Sequence, residues 1–283
     1  MYSDAAPTSV RRVILVVLDG LRPDAMARFE LFHLQRLALR GASTFRARTV
    51  DPSVTACAMA SLITGASPER HGLQSDRFQL PRSRGPIHPL PKVLAEHSLP
   101  SSAFISGVPM LLGGLAQRIA SVAGFGEARF AGRGAADVLA TAARAIDTQR
   151  RGLIMMHWPD ADAAGHDHGW MSPEYAMAAA RMDDALGRLV RQLDLDDPQT
   201  LLIAMADHGG GGRVLKHHDS DHPLDVTIPV ILAGGAVEPG LLSGQVSLLD
   251  VPATVLWALG IPRPESYVGR PMLQAFQRMP VAA

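Results

Sequence analysis

Val13-Ile-Leu-Val-Val-Leu18, followed at once by Asp19-Gly20, is the stretch that decides the fold. A solvent-facing helix hides one stripe and exposes the rest, whereas an unbroken run of six apolar residues matches a strand covered on both faces. The carboxylate and glycine directly after it mark the point where the chain turns at the edge of a buried sheet. The same signature recurs twice. Gly152–His157 runs through Trp158 into Pro159-Asp160-Ala161-Asp162, and Thr200–Ala206 runs into Asp207-His208-Gly209. Ser102–Ile105 and Pro229–Ala233 are two further apolar runs of strand length.

Helical patterns fill the spaces between these runs. They fall at Leu31–Arg40, closed by Gly41, at Ala56–Thr64, closed by Gly65, and at Asp137–Gln149. Ser172–Leu193 opens with Ser172 as N-cap and Pro173 at the first helical position, both favoured there. Its Ala176, Ala179, Ala180, Leu186, Leu189, Val190 and Leu193 follow the rhythm of a core-facing stripe. Leu249–Leu259 is stopped by Gly260 and Pro262. The Pro- and Arg-rich stretch Arg77–Pro91 reads as an irregular surface loop. The alternation predicts an α/β fold with a mostly parallel central sheet flanked by helices on both faces. No repeat or low-complexity linker divides the chain. Residues 1–283 therefore read as a single domain without a large cap.

Hydrophobic residues make up 47% of the 283 and charged residues 19%, enough apolar surface for a core and too little charge for a disordered chain. Lys plus Arg and Asp plus Glu balance at 27 each, so no basic footprint predicts a nucleic-acid scaffold or an anionic membrane as partner. A single cysteine, Cys57, excludes an intrachain disulfide and any multi-cysteine metal site. Arg11-Arg12 before Val13–Leu18 mimics a secretion signal, but Asp19 closes the run below the roughly 7–15 apolar residues that such a signal needs. No run approaches the roughly 18 of a membrane span. The expectation is a cytoplasmic protein.

Three strand ends deliver acidic groups to one edge of the sheet, the edge where open parallel sheets bind ligands. Carboxylates crowded together repel unless a cation or shared protons intervene. Histidines beside them favour a metal, because neutral imidazole with carboxylate suits zinc and related divalent ions. Asp162-Ala-Ala-Gly165-His166 sets a carboxylate and an imidazole four apart, with Gly165 read as allowing a tight turn. Asp207-His208 offers two adjacent ligands, and Lys216-His217-His218-Asp219-Ser220-Asp221-His222 offers a third source of histidine. Thr55 stands just before a helix. It can serve as an ordinary N-cap, or as a hydroxyl nucleophile where a helix N-terminus and a metal favour an alkoxide. Both readings stay open at this point. Cys57 is expected to pack in the core.

Taken in order, LDGLRPD, DPSVTACAMASLITGASPERHG, DAAGH, ADHGG and HHDSDHPLDVTIPVILAG resemble the alkaline phosphatase superfamily, over roughly Val13 to Gly269. The branch they resemble most is the type I phosphodiesterase and nucleotide pyrophosphatase group, whose nucleophile is Thr. The resemblance implies two divalent metal ions, zinc with manganese as the alternative, and hydrolysis of a small-molecule phosphate ester through a phosphothreonine on Thr55. A phosphodiester or nucleotide-type substrate is preferred, with phosphomonoester or phosphonate C–P hydrolysis as alternatives and a non-catalytic metal binder as the remote one.

Carried over by position, Asp162, His166 and His218 would hold one metal, and Asp19, Asp207 and His208 the other. His218 is preferred to His217 and His222 for its distance from Thr227-Ile-Pro229. His71 fits the pattern as a structural residue, while His157, His168 and His222 are expected beside the site or at the surface. Two positions depart from the family. Asp76 stands where relatives carry an Asn that holds a phosphate oxygen, and the neighbouring Arg77 is the substitute donor. Asp219 stands where relatives carry Gly and adds negative charge near the metals, either tightening them or accepting a hydrogen bond beside them. A sulfatase is disfavoured by the absence of a Cys-x-Pro-x-Arg motif, and a cofactor-independent mutase by the absence of its serine context.

Overall fold

In the computed structural model, which describes residues 9–75, 83–107, 113–130 and 132–276, β1 (Arg12–Leu18) lies mid-sheet with all seven residues buried. β5 (Gly152–Trp158) and β6 (Thr200–Met205) flank it in parallel, so Leu18 stands beside Trp158 and Val17 beside Met205. The remaining strands are β2 (Ala42–Arg48), β3 (Ser101–Ile105), β4 (Glu127–Phe130), β7 (Thr227–Ala233) and β8 (Gly240–Leu241). The order across the sheet is β4-β3-β5-β1-β6-β7-β2-β8. β7 alone among these runs against its neighbours β6 and β2. That reversal keeps the whole excursion 206–226, between β6 and β7, at the edge where β1, β5 and β6 end.

Two groups of mutually packed helices flank the sheet. One contains α2 (Phe32–Arg40), α7 (Ala135–Thr148) and α9 (Pro173–Gln192), and the other contains α3 (Thr55–Thr64), α5 (Leu90–Glu96) and α11 (Asp250–Ala258). The expected N-cap of α9 is present: Ser172 Oγ accepts from Tyr175 N at 3.1 Å, with Pro173 in the first turn. Asp183 of α9 in turn accepts from the amides of His33 and Leu34, which open α2.

Several elements depart from the sequence reading. β2 escaped it because its register slips between Thr44 and Ala47, which breaks the alternation that signals a strand. β4 is an edge strand with one buried residue, Ala128, and β8 is two residues long. The helices α1 (Pro23–Arg28), α4 (Pro68–His71) and α10 (Pro223–Val226) are too short to give a periodic signal, and α6 (Gly113–Ala123) opens on two glycines. Of the loop read at Arg77–Pro91, residues 77–82 lie outside the described residues, 83–89 are irregular, and Leu90 and Pro91 already belong to α5.

The acidic stretch after β5 is a helix, α8 (Asp160–His168), rather than a turn. Gly165 therefore serves no tight turn. It gives room, because a Cβ there would come within 2.6 Å of the Trp170 indole. Asp160 faces away from the other strand-end carboxylates and accepts from Ala135 N at 2.8 Å, closing the start of α7. No helix of the described residues is long and apolar enough to cross a membrane.

Candidate metal centre

Four separate segments meet beyond the ends of β1, β5 and β6. Asp19 follows β1, Asp162 and His166 sit one turn apart on α8, Asp207 and His208 follow β6, and His218 lies on the excursion 206–226. His208 Nε2 stands 3.2 Å from Asp19 Oδ1, 3.7 Å from Asp207 Oδ2 and 3.9 Å from Asp162 Oδ1. His218 Nε2 stands 3.6 Å from Asp162 Oδ1 and 3.0 Å from His166 Nε2, which is 3.5 Å from Asp162 Oδ1. The structure thus brings together all six residues expected from the sequence. His217 is exposed. His222 spends its ring on α10, accepting from Leu224 N, and His168 is exposed at the end of α8.

The histidine tautomers follow from their partners. Each Nδ1 faces a backbone carbonyl: Lys216 O for His166 at 2.9 Å, Gly209 O for His208 at 2.8 Å and Ser53 O for His218 at 2.6 Å. A carbonyl only accepts, so Nδ1 carries a proton, and each Nε2 faces the cluster as the atom that would offer a lone pair once any proton on it is displaced. Three imidazole nitrogens and three carboxylates then converge on one small space. Asp162 Oδ1 and Asp207 Oδ2 are buried with no hydrogen-bond partner, which is costly unless a cation takes their place in the account. Nitrogen and oxygen donors of this kind fit zinc or manganese, and a carbonyl behind each imidazole is the arrangement that orients metal-binding histidines. Two overlapping donor sets lie within reach of an ion: Asp162, His208 and His218, and Asp19, Asp207 and His208.

Proton affinities show the same crowding. Burial and the neighbouring Asp19 push the Asp162 carboxyl up to about 8. Burial and Asp19 also push Asp207 up to about 6. Burial works to raise Asp19 too, but His157 and His208 outweigh it and hold that carboxyl far below its usual range. Burial opposes charge on His208 and His157, yet the carboxylates around them raise both. His218 is pushed down to about 3 by burial and by His208, whose ring stacks on it at 3.8 Å.

Thr55 is the first helical residue of α3, after Val54, and its hydroxyl makes no capping bond. Oγ1 instead points into the cluster, 3.0 Å from His208 Nε2 and 3.5 Å from Asp19 Oδ1. The N-cap reading is therefore set aside. The thiol of Cys57, fully buried, turns away and donates to Leu73 O at 3.2 Å. His71 is buried too. Its Nδ1 accepts from Leu73 N, so its Nε2–H donates to Ser61 Oγ at 3.0 Å. Asp219 is exposed. The hydrogen bond it could accept there is absent among the described residues, because the His218 ring already has Ser53 O. Asp76 and Arg77 lie outside the described residues.

Two contributors, Ser53 and Trp170, went unread in the sequence, and His157, expected beside the site or at the surface, lies beside it. Ser53, fully buried, donates from Oγ to His218 O and to Ser220 O, pairing reciprocally with His218. Its place two residues before Thr55 was the available signal. His157 Nε2 lies 3.2 Å from Asp19 Oδ2 at the buried end of β5. Trp170 lies behind His166 and His218, and nothing in the local pattern marks it.

The mostly parallel sheet and the acidic and histidine cluster beyond its strand ends fit the alkaline phosphatase superfamily, a metal-dependent group that includes phosphoester hydrolases, transferases and mutases. Within it the chain belongs to the type I phosphodiesterase / nucleotide pyrophosphatase family, whose sequence profile matches residues 13–92 and 95–221.

Among curated relatives, the catalytic subunit of human GPI ethanolamine phosphate transferase 3 is 31% identical over 139 residues, covering 46% of this chain and 12% of that protein. The 2,3-bisphosphoglycerate-independent phosphoglycerate mutase of Cereibacter sphaeroides is 32% identical over 127 residues, covering 44% and 24%. The matched part of the chain therefore spans a quarter or less of these relatives. Among solved structures, the lipoteichoic acid synthase LtaP of Listeria monocytogenes superposes with a TM-score of 0.71 at 14% identity, over 98% of this chain and 78% of that one. Murine ectonucleotide pyrophosphatase / phosphodiesterase 5 superposes at 0.65 and 14%, over 90% and 97%. At such identities the likeness is one of fold.

Proposed function

We propose that this chain is a metal-dependent hydrolase of small-molecule phosphate esters, diesters or nucleotide-type substrates first, working as a single domain through a phosphothreonine on Thr55. The observation that carries the reading is the aim of Thr55 Oγ1. It turns away from its own helix and faces His208 and Asp19 at 3.0 and 3.5 Å.

Asp162, His166 and His218 would hold one divalent ion, and Asp19, Asp207 and His208 the other, zinc or manganese in either case. Such ions, when bound, supply Lewis-acid stabilisation to phosphoryl and leaving-group oxygens and lower the pKa of a nearby hydroxyl or water. The chain supplies the rest. α3 directs its positive N-terminal end at the place where the phosphate is bound. Thr55 Oγ forms the bond to phosphorus as the bond to the departing oxygen breaks in line, the Thr55 proton ending on the departing alcohol, so that a diester leaves its remaining phosphate monoester, and a monoester a phosphoryl group, on Thr55. Water then attacks phosphorus, the Thr55 ester breaks, and the hydroxyl and the phosphate product are restored. The buried, turned-away Cys57 thiol offers no sulfatase-type nucleophile.

The relatives named as transferases and mutases motivate a second reading, in which an alcohol rather than water takes the phosphoryl group. One experiment separates these. Zinc- and manganese-loaded protein is tested on bis-p-nitrophenyl phosphate, p-nitrophenyl phosphate, a phosphonate and a sulfate ester, with and without an added alcohol, followed by acid quench and mass spectrometry of the Thr55 peptide. Diester turnover with a phosphorylated Thr55 is expected. Faster turnover with alcohol, and a phosphorylated alcohol as product, would favour transfer. A metal-loaded protein that turns over none of the esters would overturn the enzymatic reading.

A further inference from the structure

The candidate ligands come from four segments far apart in sequence, and a two-ion centre tolerates misplacement of only about 0.5 Å. Something must fix the segments to one another. One side chain touches all of them. Trp170, 2% exposed, donates from Nε1 to the carbonyl of Gly20, the residue after Asp19, at 3.0 Å. Its ring lies edge-on to His166, centroids 5.2 Å apart at 81°, and to His218, 5.6 Å apart at 63°. A Cβ on Gly165, between Asp162 and His166, would meet the indole at 2.6 Å, and a Cβ on Gly210, two residues after His208, would meet it at 2.1 Å. Those glycines are cut to the shape of the indole.

The Gly20 peptide passes the constraint onward. Its carbonyl takes a second bond, from Tyr175 Oη at 2.9 Å, and its N–H donates to Asp207 Oδ1 at 3.2 Å. Gly20 has φ +69°, and a Cβ there would come within 2.8 Å of Asp162 Cα. Asp162 N in turn donates to Asp19 O. An indole N–H is a donor only, so its one bond fixes the ring's orientation as well as its place.

We propose that Trp170 is a positioning residue that sets the two halves of the metal centre relative to each other, through the Gly20 carbonyl on one side and the His166 and His218 rings on the other. The inference rests on the metal-centre reading above. Its test is zinc binding to chelator-stripped protein, read by competition with a chromophoric chelator, with melting of the metal-free protein in parallel. Trp170→Phe keeps a ring and loses the N–H, and should weaken zinc binding roughly tenfold, with Trp170→Leu nearer a hundredfold. Zinc affinity within twofold of wild type in both variants, whatever their melting temperatures, would overturn the proposal and leave Trp170 a filler of space. Should either variant fail to fold, Gly165→Ala decides. It keeps the indole but forces it to shift, since a methyl there would come within 2.6 Å of the ring, and unchanged zinc affinity there overturns the proposal equally. Wild-type protein that takes up no zinc would instead overturn the metal-centre reading itself, and Trp170's role with it.

Discussion

Raising the pH from 6 to 8 on metal-free protein should destabilise it, against the usual expectation that carboxylate-rich proteins suffer at low pH. The largest contributor is Asp162, whose folded carboxyl sits near 8 against an ordinary 3.8. Between these values the unfolded chain has released the proton and the folded chain still holds it, so stability falls by about 1.4 kcal/mol per pH unit. From pH 6 to 8, with the slope flattening near 8, the loss is about 2 kcal/mol. His157 and His208 act in the same direction. Both are raised above 6.5, and their contribution is complete below that pH and fades as pH climbs through the folded value. His218, pushed down to about 3, acts the other way. It is neutral when folded, and its unfolded form stops taking up a proton above 6.5, which returns roughly 1 kcal/mol or less. Asp19 is ionised in both states throughout.

The net loss is on the order of 1–2 kcal/mol, or a few °C in melting temperature for a chain this long. Calorimetric melts of chelator-treated protein at pH 6, 7 and 8 measure it. With saturating zinc the trend should reverse, because the ion displaces those protons and binds more tightly as pH rises. Asp162→Asn should flatten the metal-free slope. A metal-free melting temperature that is constant or higher at pH 8 would refute the crowding argument.

Anomalous scattering from zinc-soaked crystals should show two ions about 3.5–4 Å apart; one peak or none would count against the paired donor sets. Thr55→Ala should abolish turnover while zinc uptake stays near wild type, and Thr55→Ser should keep part of the activity; near-normal rates in the alanine variant would end the covalent mechanism. Ser53→Ala removes the donor to His218 O and Ser220 O and should cost about 1–2 kcal/mol in a melt, with weaker zinc binding, whereas unchanged zinc affinity would detach Ser53 from the centre. Asp76→Asn should raise the monoester-to-diester ratio of kcat/KM by about tenfold, for about 1.4 kcal/mol of relieved repulsion, and Arg77→Ala should lower both rates; an unchanged ratio places Asp76 outside the phosphate pocket.

The centre of the sheet was legible because β1, β5 and β6 are buried on both faces and so spell out continuous apolar runs. β2 was not, since its slipped register mixes Arg46 and Arg48 with buried neighbours. The metal-facing carboxylates were legible as strand-end residues, but position alone could not tell Asp162 from Asp160, two residues earlier. Only the helical geometry of α8 turns one into the cluster and the other onto Ala135 N. Gly165 was seen as a backbone requirement, whereas its reason is a side chain five residues on. Contacts such as Trp170 to Gly20 span 150 residues, and no local pattern encodes them.

The reversed β7 also separates what must stay fixed in the excursion 206–226 from what is free to change. Its base is tied down by Asp225, which takes Gly209 N on its carbonyl and Gly212 N and Ser220 Oγ on its carboxylate. Its outer turn, around Arg213 and Val214, stands in solvent with Val214 54% exposed. Doubling the length of such a turn costs only about 0.6 kcal/mol in chain entropy. Residues inserted between Arg213 and Val214 should therefore leave His208 and His218 in their places, so this turn is where the excursion can lengthen without moving the cluster.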